Sequence, residues 1–221
     1  MRNTIFLVLI ALWGCTSKPE TTKIDDQDKA DSASMSARRA SPATSNAERI
    51  LSRFILDDLL KFDSEAELKE VFGKAVMHSR GAYPEGMGEY PNTLLYSGTS
   101  KRVEFVWEDT TRCSKLAYIE IYGQRTAWKT TEGITLGTTL KELERLNGKS
   151  FTFFGFDWDY SGATNWEDGK LATRKIFVYL GYPPKADMAD FEGLVGDKEI
   201  RSDSKLAQKA NPVVWKINMR R

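Results

Sequence analysis

The chain has 221 residues, 41% of them apolar, with 32 Lys and Arg against 31 Asp and Glu. Such a composition belongs to a folded globular protein of one domain or two small ones. The near-zero charge balance leaves no clustered basic excess for nucleic acid and no polybasic patch for lipid headgroups.

Arg2 precedes Ile5 to Trp13, a nine-residue apolar run. A bilayer span needs about 20 such residues, so the run fits the core of a secretory signal instead. It ends in Leu12-Trp13-Gly14-Cys15, which resembles the lipobox of bacterial lipoproteins. The resemblance implies a signal peptide over residues 1–14, removed before an acylated Cys15. The chain is then lipid-anchored in the bacterial cell envelope, and two or more acyl chains hold such an anchor stably. Thr16 stands where an Asp retains related lipoproteins in the inner membrane, which favours the outer membrane, with the domain in the periplasm or at the cell surface. From Thr16 to Thr44 only Ile24 and Met35 are large and apolar. Residues 15–44 therefore read as a flexible tether, unable to offset its conformational entropy by burial and spanning roughly 30 Å on average.

The remaining stretch, 45–221, reads as a single α+β domain. Ser45 and Glu48 have the spacing of a capping box, and Ile50, Leu51, Phe54, Ile55, Leu59 and Leu60 follow at helical steps. A second box opens at Ser64 and Glu67, and a third at Thr139 and Glu142. These two open similar segments, Ser64 to Lys74 and Thr139 to Lys149, each ending at a Gly suited to a left-handed cap, Gly73 and Gly148. Downstream, Tyr96-Ser97-Gly98, Trp107-Glu108-Asp109 and Lys115-Leu116-Ala117 recur in the same order as Tyr160-Ser161-Gly162, Trp166-Glu167-Asp168 and Lys170-Leu171-Ala172. The pattern predicts two tandem helix plus antiparallel β-meander repeats, about 64–123 and 133–181, with a C-terminal extension 182–221. Alternation predicts strands at 103–107, 116–122, 176–180 and 213–217, forming one sheet with helices on one face. The Gly- and Pro-rich segment from Ser79 to Asn92 reads as a long loop.

Gly133 to Phe151, with its capped helix ending at Gly148, is similar to the β-lactamase-inhibitor-like architecture and to the small outer-membrane assembly lipoproteins that carry one such unit. The pattern that includes Gly155 to Gly162 and W-x-x-G-K-L from Trp166 to Leu171 also resembles bacterial lipoproteins of uncharacterised families. The resemblance implies protein binding on an open sheet face rather than catalysis.

Asp157, Asp159, Ser161, Gly162, Asn165 and Asp168 fall at positions 1, 3, 5, 6, 9 and 12 of a calcium-loop template. The flanking helices of such a site are missing, and alternation instead places Phe154, Phe156, Trp158 and Tyr160 on the core face of a strand, with the acids on its wet face. No metal or other cofactor is expected. Glu108-Asp109 and Glu167-Asp168 offer paired carboxylates for a glycan-acting hydrolase, although neighbours on a strand point to opposite faces. His78 reads as a surface residue and Cys113 as a turn thiol. Trp107 and Trp166 read as core. Trp128, in a polar stretch between the repeats, and Tyr83 and Tyr90, in the predicted loop, are the candidate partner contacts. The expected partners are the membrane, through the lipid, and another envelope protein, with no nucleic acid. The reading is a non-enzymatic binding or assembly role, with the hydrolase and a calcium-binding module as alternatives.

Overall fold

In the computed structural model, which describes residues 42–82 and 88–221, helix α1 runs from Pro42 to Arg53. Pro suits a first helical position because its missing N–H would have no partner there. The helix thus starts before Ser45, and it stops short of the expected Leu60. Phe54 takes a φ of 50° and Ile55 bridges Lys129, so the apolar run continues as a 3-10 turn over Leu56–Leu59. Residues 1–41 and 83–87, with Cys15, Tyr83 and the expected signal peptide, lie outside the described residues. Among the described residues no helix is long and apolar enough to cross a membrane.

Helices α2 (Glu65–Phe72) and α3 (Leu140–Asn147) begin at the expected caps. Ser64 Oγ accepts the Glu67 N–H, and Thr139 with Glu142 forms a reciprocal capping box. Both end on glycine, but only Gly148 takes the expected left-handed cap, at φ 80° and ψ 0°; Gly73, at φ 54° and ψ −124°, does not, and leads into a 3-10 turn over Gly73–Ala75. A fourth helix, α4 (Lys205–Ala210), lies in the C-terminal extension.

The strands are β1 (Val76–Ala82), β2 (Glu89–Leu95), β3 (Val103–Asp109), β4 (Ser114–Tyr122), β5 (Thr152–Phe154), β6 (Thr164–Asn165), β7 (Ile176–Gly181), β8 (Glu199–Arg201) and β9 (Val213–Met219). The fold is α+β, with an antiparallel six-stranded sheet in the order β1-β2-β3-β4-β9-β7 and a smaller sheet β6-β5-β8. The expected single sheet is therefore divided, although Ala163 bridges Tyr179 where the two approach. Alternation sends Phe105, Trp107, Ile119, Ile121, Ile217, Val178 and Leu180 inward, into one core with Ile50, Leu68, Phe72, Leu140 and Leu143 of the helices.

Three sequence expectations are corrected. Most of Ser79 to Asn92 is the β1–β2 hairpin, paired from Val76↔Leu95 to Ala82↔Glu89. Gly81 survives in that strand because the Tyr90 ring covers it, 2.4 Å from where a Cβ would stand. Pro91 is tolerated because β3 joins β2 only from Asn92 onward. Second, Phe156 is buried, but Trp158 is 58% and Tyr160 65% exposed, so the aromatic alternation does not continue. Asp157 at φ 61° turns the chain out of the extended conformation, a backbone state that Asp tolerates better than most residues. Third, the two Tyr-Ser-Gly triplets serve different connections, β2 to β3 at Tyr96–Gly98 and β5 to β6 at Tyr160–Gly162. Gly162 is obligatory at φ 70°, since a Cβ there would stand 1.9 Å from the Leu180 carbonyl oxygen.

Candidate functional site: the open face of the sheet

The same alternation that fills the core lines up an outward face. Directly paired residues on antiparallel strands share a face, and the register runs Leu94↔Glu104↔Glu120↔Asn218↔Phe177 across five strands. A second row runs Asn92↔Val106↔Tyr118, and a third Tyr122↔Lys216↔Tyr179. Tyr122 and Phe177 are nearly half exposed, at 47% and 43%.

At the centre stand two carboxylates in direct register. Glu104 accepts hydrogen bonds from Asn92 Nδ2 at 2.5 Å, Arg102 at 2.7 Å and Tyr90 Oη at 3.3 Å. Glu120 has the Lys216 ammonium 3.9 Å away. Burial pushes the Glu120 carboxyl above the ordinary carboxylate range; Lys216 and the Asn218 amide oppose the shift and Glu104 reinforces it. Burial also raises the phenols of Tyr90, Tyr118 and Tyr179, with neighbouring glutamates adding to it. Asn92 and Asn218, both buried, flank the carboxylates, and the Oδ1 of each has no hydrogen-bond partner among the described residues.

Cations stand over the aromatic rim. Arg102 sits 4.3 Å from the Tyr122 ring centre, Lys216 3.9 Å from Tyr179, and Arg220 5.2 Å from Phe177, each within reach of the ring's negative face. A groove of about 430 Å³ opens among Tyr90, Val106, Trp107, Tyr118, Glu120 and Lys216. A second, of about 610 Å³, lies beside Glu108, Tyr118, Phe177 and Arg220.

Of the residues singled out from the sequence, Tyr90 belongs to this face. Trp128 does not, and its expected exposure is corrected: the side chain is fully buried, donates its indole N–H to the Lys101 carbonyl at 2.8 Å and packs edge-on against Phe54. Its polar neighbours serve the backbone, Thr126 Oγ1 accepting the Trp128 N–H at 3.0 Å, while the ring itself fills the core. Trp107 and Trp166 are buried, as expected.

The calcium-template residues are dispersed into local contacts. Asp157 accepts from Tyr182 Oη at 2.7 Å, Ser161 Oγ accepts the Asp157 N–H, and Asn165 accepts the Glu167 N–H. Asp168 is ion-paired with Lys149, and Asp159 is exposed. Among the described residues these acids form no group of three close enough to hold a metal ion. The paired acids likewise diverge to different partners. Asp109 caps the N–H groups of Thr111 and Arg112, and Glu167 faces Arg201 while Asp168 faces Lys149.

Sequence reasoning missed Glu104 and Glu120. The one available signal was a charged residue inside each apolar strand, at outward positions of alternation. What the sequence lacks is the register that sets them opposite each other. Comparison with protein-family models, with curated proteins and with solved structures finds no match for the chain.

Proposed function

We propose that the protein is a lipid-anchored envelope lipoprotein whose folded domain binds another envelope protein, without catalysis, through the open face of the sheet. The observation that carries this reading is the Glu104–Glu120 register pair at the centre of an aromatic face. Like charges directly opposite on a sheet destabilise it, and the donors the fold supplies gather on Glu104, from Asn92, Arg102 and Tyr90, with the Lys216 ammonium 3.9 Å from Glu120. A basic side chain from a partner, entering between the tyrosines, would relieve that repulsion and offer donors to the strip of acceptors. Aromatic residues and Arg are the residue types that dominate protein interfaces. The membrane attachment rests on Leu12-Trp13-Gly14-Cys15 and the apolar run before it, and outer-membrane placement on Thr16.

The tandem-repeat reading belongs with this proposal in a revised form, in which β9, from the expected C-terminal extension rather than from 133–181, is taken as the last strand of the second unit. One unit is α2-β1-β2-β3-β4 and the other α3-β5-β6-β7-β9, meeting where β4 pairs antiparallel with β9. Two echoes support it. The cap of each helix bridges the first residue of the unit's last strand, Ser64 to Ser114 and Thr139 to Val213. The N–H of each closing glycine bonds four residues back, Gly73 to Lys69 and Gly148 to Glu144. Under this pairing the Tyr-Ser-Gly triplets are displaced by one strand, and β8 with α4 is an insertion.

The test is photocrosslinking in intact cells, with a photoreactive residue at Tyr122 or Phe177, and at Lys141 on α3 as the control. A single crosslinked protein from the sheet positions, lost when Glu104 and Glu120 are both changed to Gln, is the expected result. Equal crosslinking from Lys141, or none from the sheet, would overturn the assignment. Labelled fatty acid incorporation that is abolished in Cys15→Ala tests the anchor separately.

A further inference from the structure

We propose that Glu65, His78 and Cys113 form a three-ligand binding site for a zinc-class divalent cation, on the helix side of the sheet and apart from the open face. His78 is the one histidine in the sequence and Cys113 one of two cysteines, yet the fold brings both to the same buried carboxylate. Glu65 Oε2 lies 2.9 Å from His78 Nδ1, and Cys113 Sγ lies 3.8 Å from the same nitrogen. All three ligand atoms are within 4.8 Å of one another. Zinc bonds of about 2.3 Å to sulfur and 2.0–2.1 Å to nitrogen and oxygen, at tetrahedral angles, need separations of roughly 3.6 Å for S···N and roughly 3.3 Å for N···O. Adjustments of a few tenths of an ångström meet both, and the Cys113 sulfur, within 4.8 Å of the carboxylate oxygen, has to close toward the roughly 3.6 Å that S···O needs.

The main chain already holds two of the ligands. The Glu65 N–H donates to the Cys113 carbonyl at 2.9 Å, and Ser64 bridges Ser114. Cys113 is held at φ 49°, a conformation that costs energy for a residue with a Cβ. The carboxylate is oriented from behind. The Trp107 indole N–H donates to Thr93 Oγ1 at 2.9 Å, and that hydroxyl donates to Glu65 Oε2 at 2.7 Å. Metal sites use such outer partners to fix their ligands. Lys69 takes the other oxygen, Glu65 Oε1, at 2.5 Å.

Mixed S, N and O donors suit a borderline-soft ion, whereas calcium and magnesium take oxygen alone. Glu65 and Cys113 are buried, but the His78 side chain is half exposed, which leaves a solvent path and a fourth position for water. The cation would take the place of the thiol proton, released to solvent, and of the hydrogen between His78 Nδ1 and Glu65, which also passes to solvent and leaves a neutral imidazole with its hydrogen on Nε2. It would fasten edge strand β1 to α2 and to the β3–β4 turn.

Cobalt(II) added to the purified full-length chain reads the site directly, because a cobalt–thiolate bond gives a charge-transfer absorption. The expected result is such a band, displaced by one equivalent of zinc, with zinc raising the melting temperature. His78→Gln, at a half-exposed position that the core does not need, should keep the fold by circular dichroism and bind at least roughly tenfold more weakly. Cys113→Ser should lose the band. Absence of the band in the wild-type chain, undiminished affinity in His78→Gln, or a band that persists in Cys113→Ser and so belongs to Cys15, would each overturn the site.

Discussion

Glu104 on β3 and Glu120 on β4 face each other in direct register, one held by three donors at hydrogen-bond distance and the other with its ammonium partner 3.9 Å away. The asymmetry makes Glu120 the costly member. Its carboxyl is raised by burial above the ordinary value of 4.5, with Lys216 only partly offsetting the shift. Between the ordinary and the raised value the folded state holds more protons than the unfolded chain, so this residue's contribution to stability falls as pH rises through that window. Above it the cost is complete.

Glu120→Gln should therefore stabilise the protein at neutral pH by up to about 1 kcal/mol and flatten the fall of stability on the alkaline side of the carboxylate range. Urea denaturation of both proteins across mildly acidic to neutral pH measures this. The same variant should bind the partner more weakly, which separates the cost to the fold from the use of the face.

Asn147, buried at the end of α3, organises the loop that follows. Its Nδ2 donates to the carbonyls of Lys149 and Trp166, and its Oδ1 accepts the Leu171 N–H. Gly169 is packed against it, with a Cβ position 2.1 Å from Oδ1. Asn147→Ala should cost about 1–3 kcal/mol, the penalty for leaving buried groups unsatisfied. Gly169→Ala should also destabilise, because the amide has no room to retreat. Thermal melts of the two variants check both.

Thr139→Ala removes a cap and should cost about 1 kcal/mol. Glu142 supplies the pH signature. The Thr139 backbone N–H and then its hydroxyl hold the carboxyl below its ordinary 4.5. The resulting stability is present above that value and is lost as pH falls through the lowered folded one. Acid titration of the melting temperature should show a shallower loss in Thr139→Ala than in the wild type.

Trp128→Ala should cost about 3–5 kcal/mol, as for other large aromatic truncations in a core. Tyr122→Ala, on the open face, should stay within about 0.5 kcal/mol of the wild type while weakening partner binding. Chemical denaturation together with the crosslinking yield separates the two roles, core and contact.

Calcium should leave the melting temperature unchanged. Asp157 and Asp168 already answer Tyr182 and Lys149, and a ligand that binds only the native state would otherwise raise the melting point.

The sequence by itself determined the parts that depend on near neighbours. The caps at Ser64 and Thr139, the glycine ends of α2 and α3, and the strands around Phe105, Ile119, Val178 and Ile217 follow from local hydrogen bonding and apolar period. It misread segments where a distant group overrides local preference. Tyr90 shelters Gly81 within a strand, and the Leu180 carbonyl dictates Gly162. Trp128 looked exposed because its sequence neighbours are polar, although the partners that bury it, Phe54 and Lys101, are far along the chain. Only tertiary structure decided which residues meet. Strand register set Glu104 opposite Glu120, and the docking of α2 against the β3–β4 turn brought Glu65 to Cys113 and His78. Each juxtaposition joins residues more than ten positions apart, a distance across which neither helical nor strand periodicity carries information.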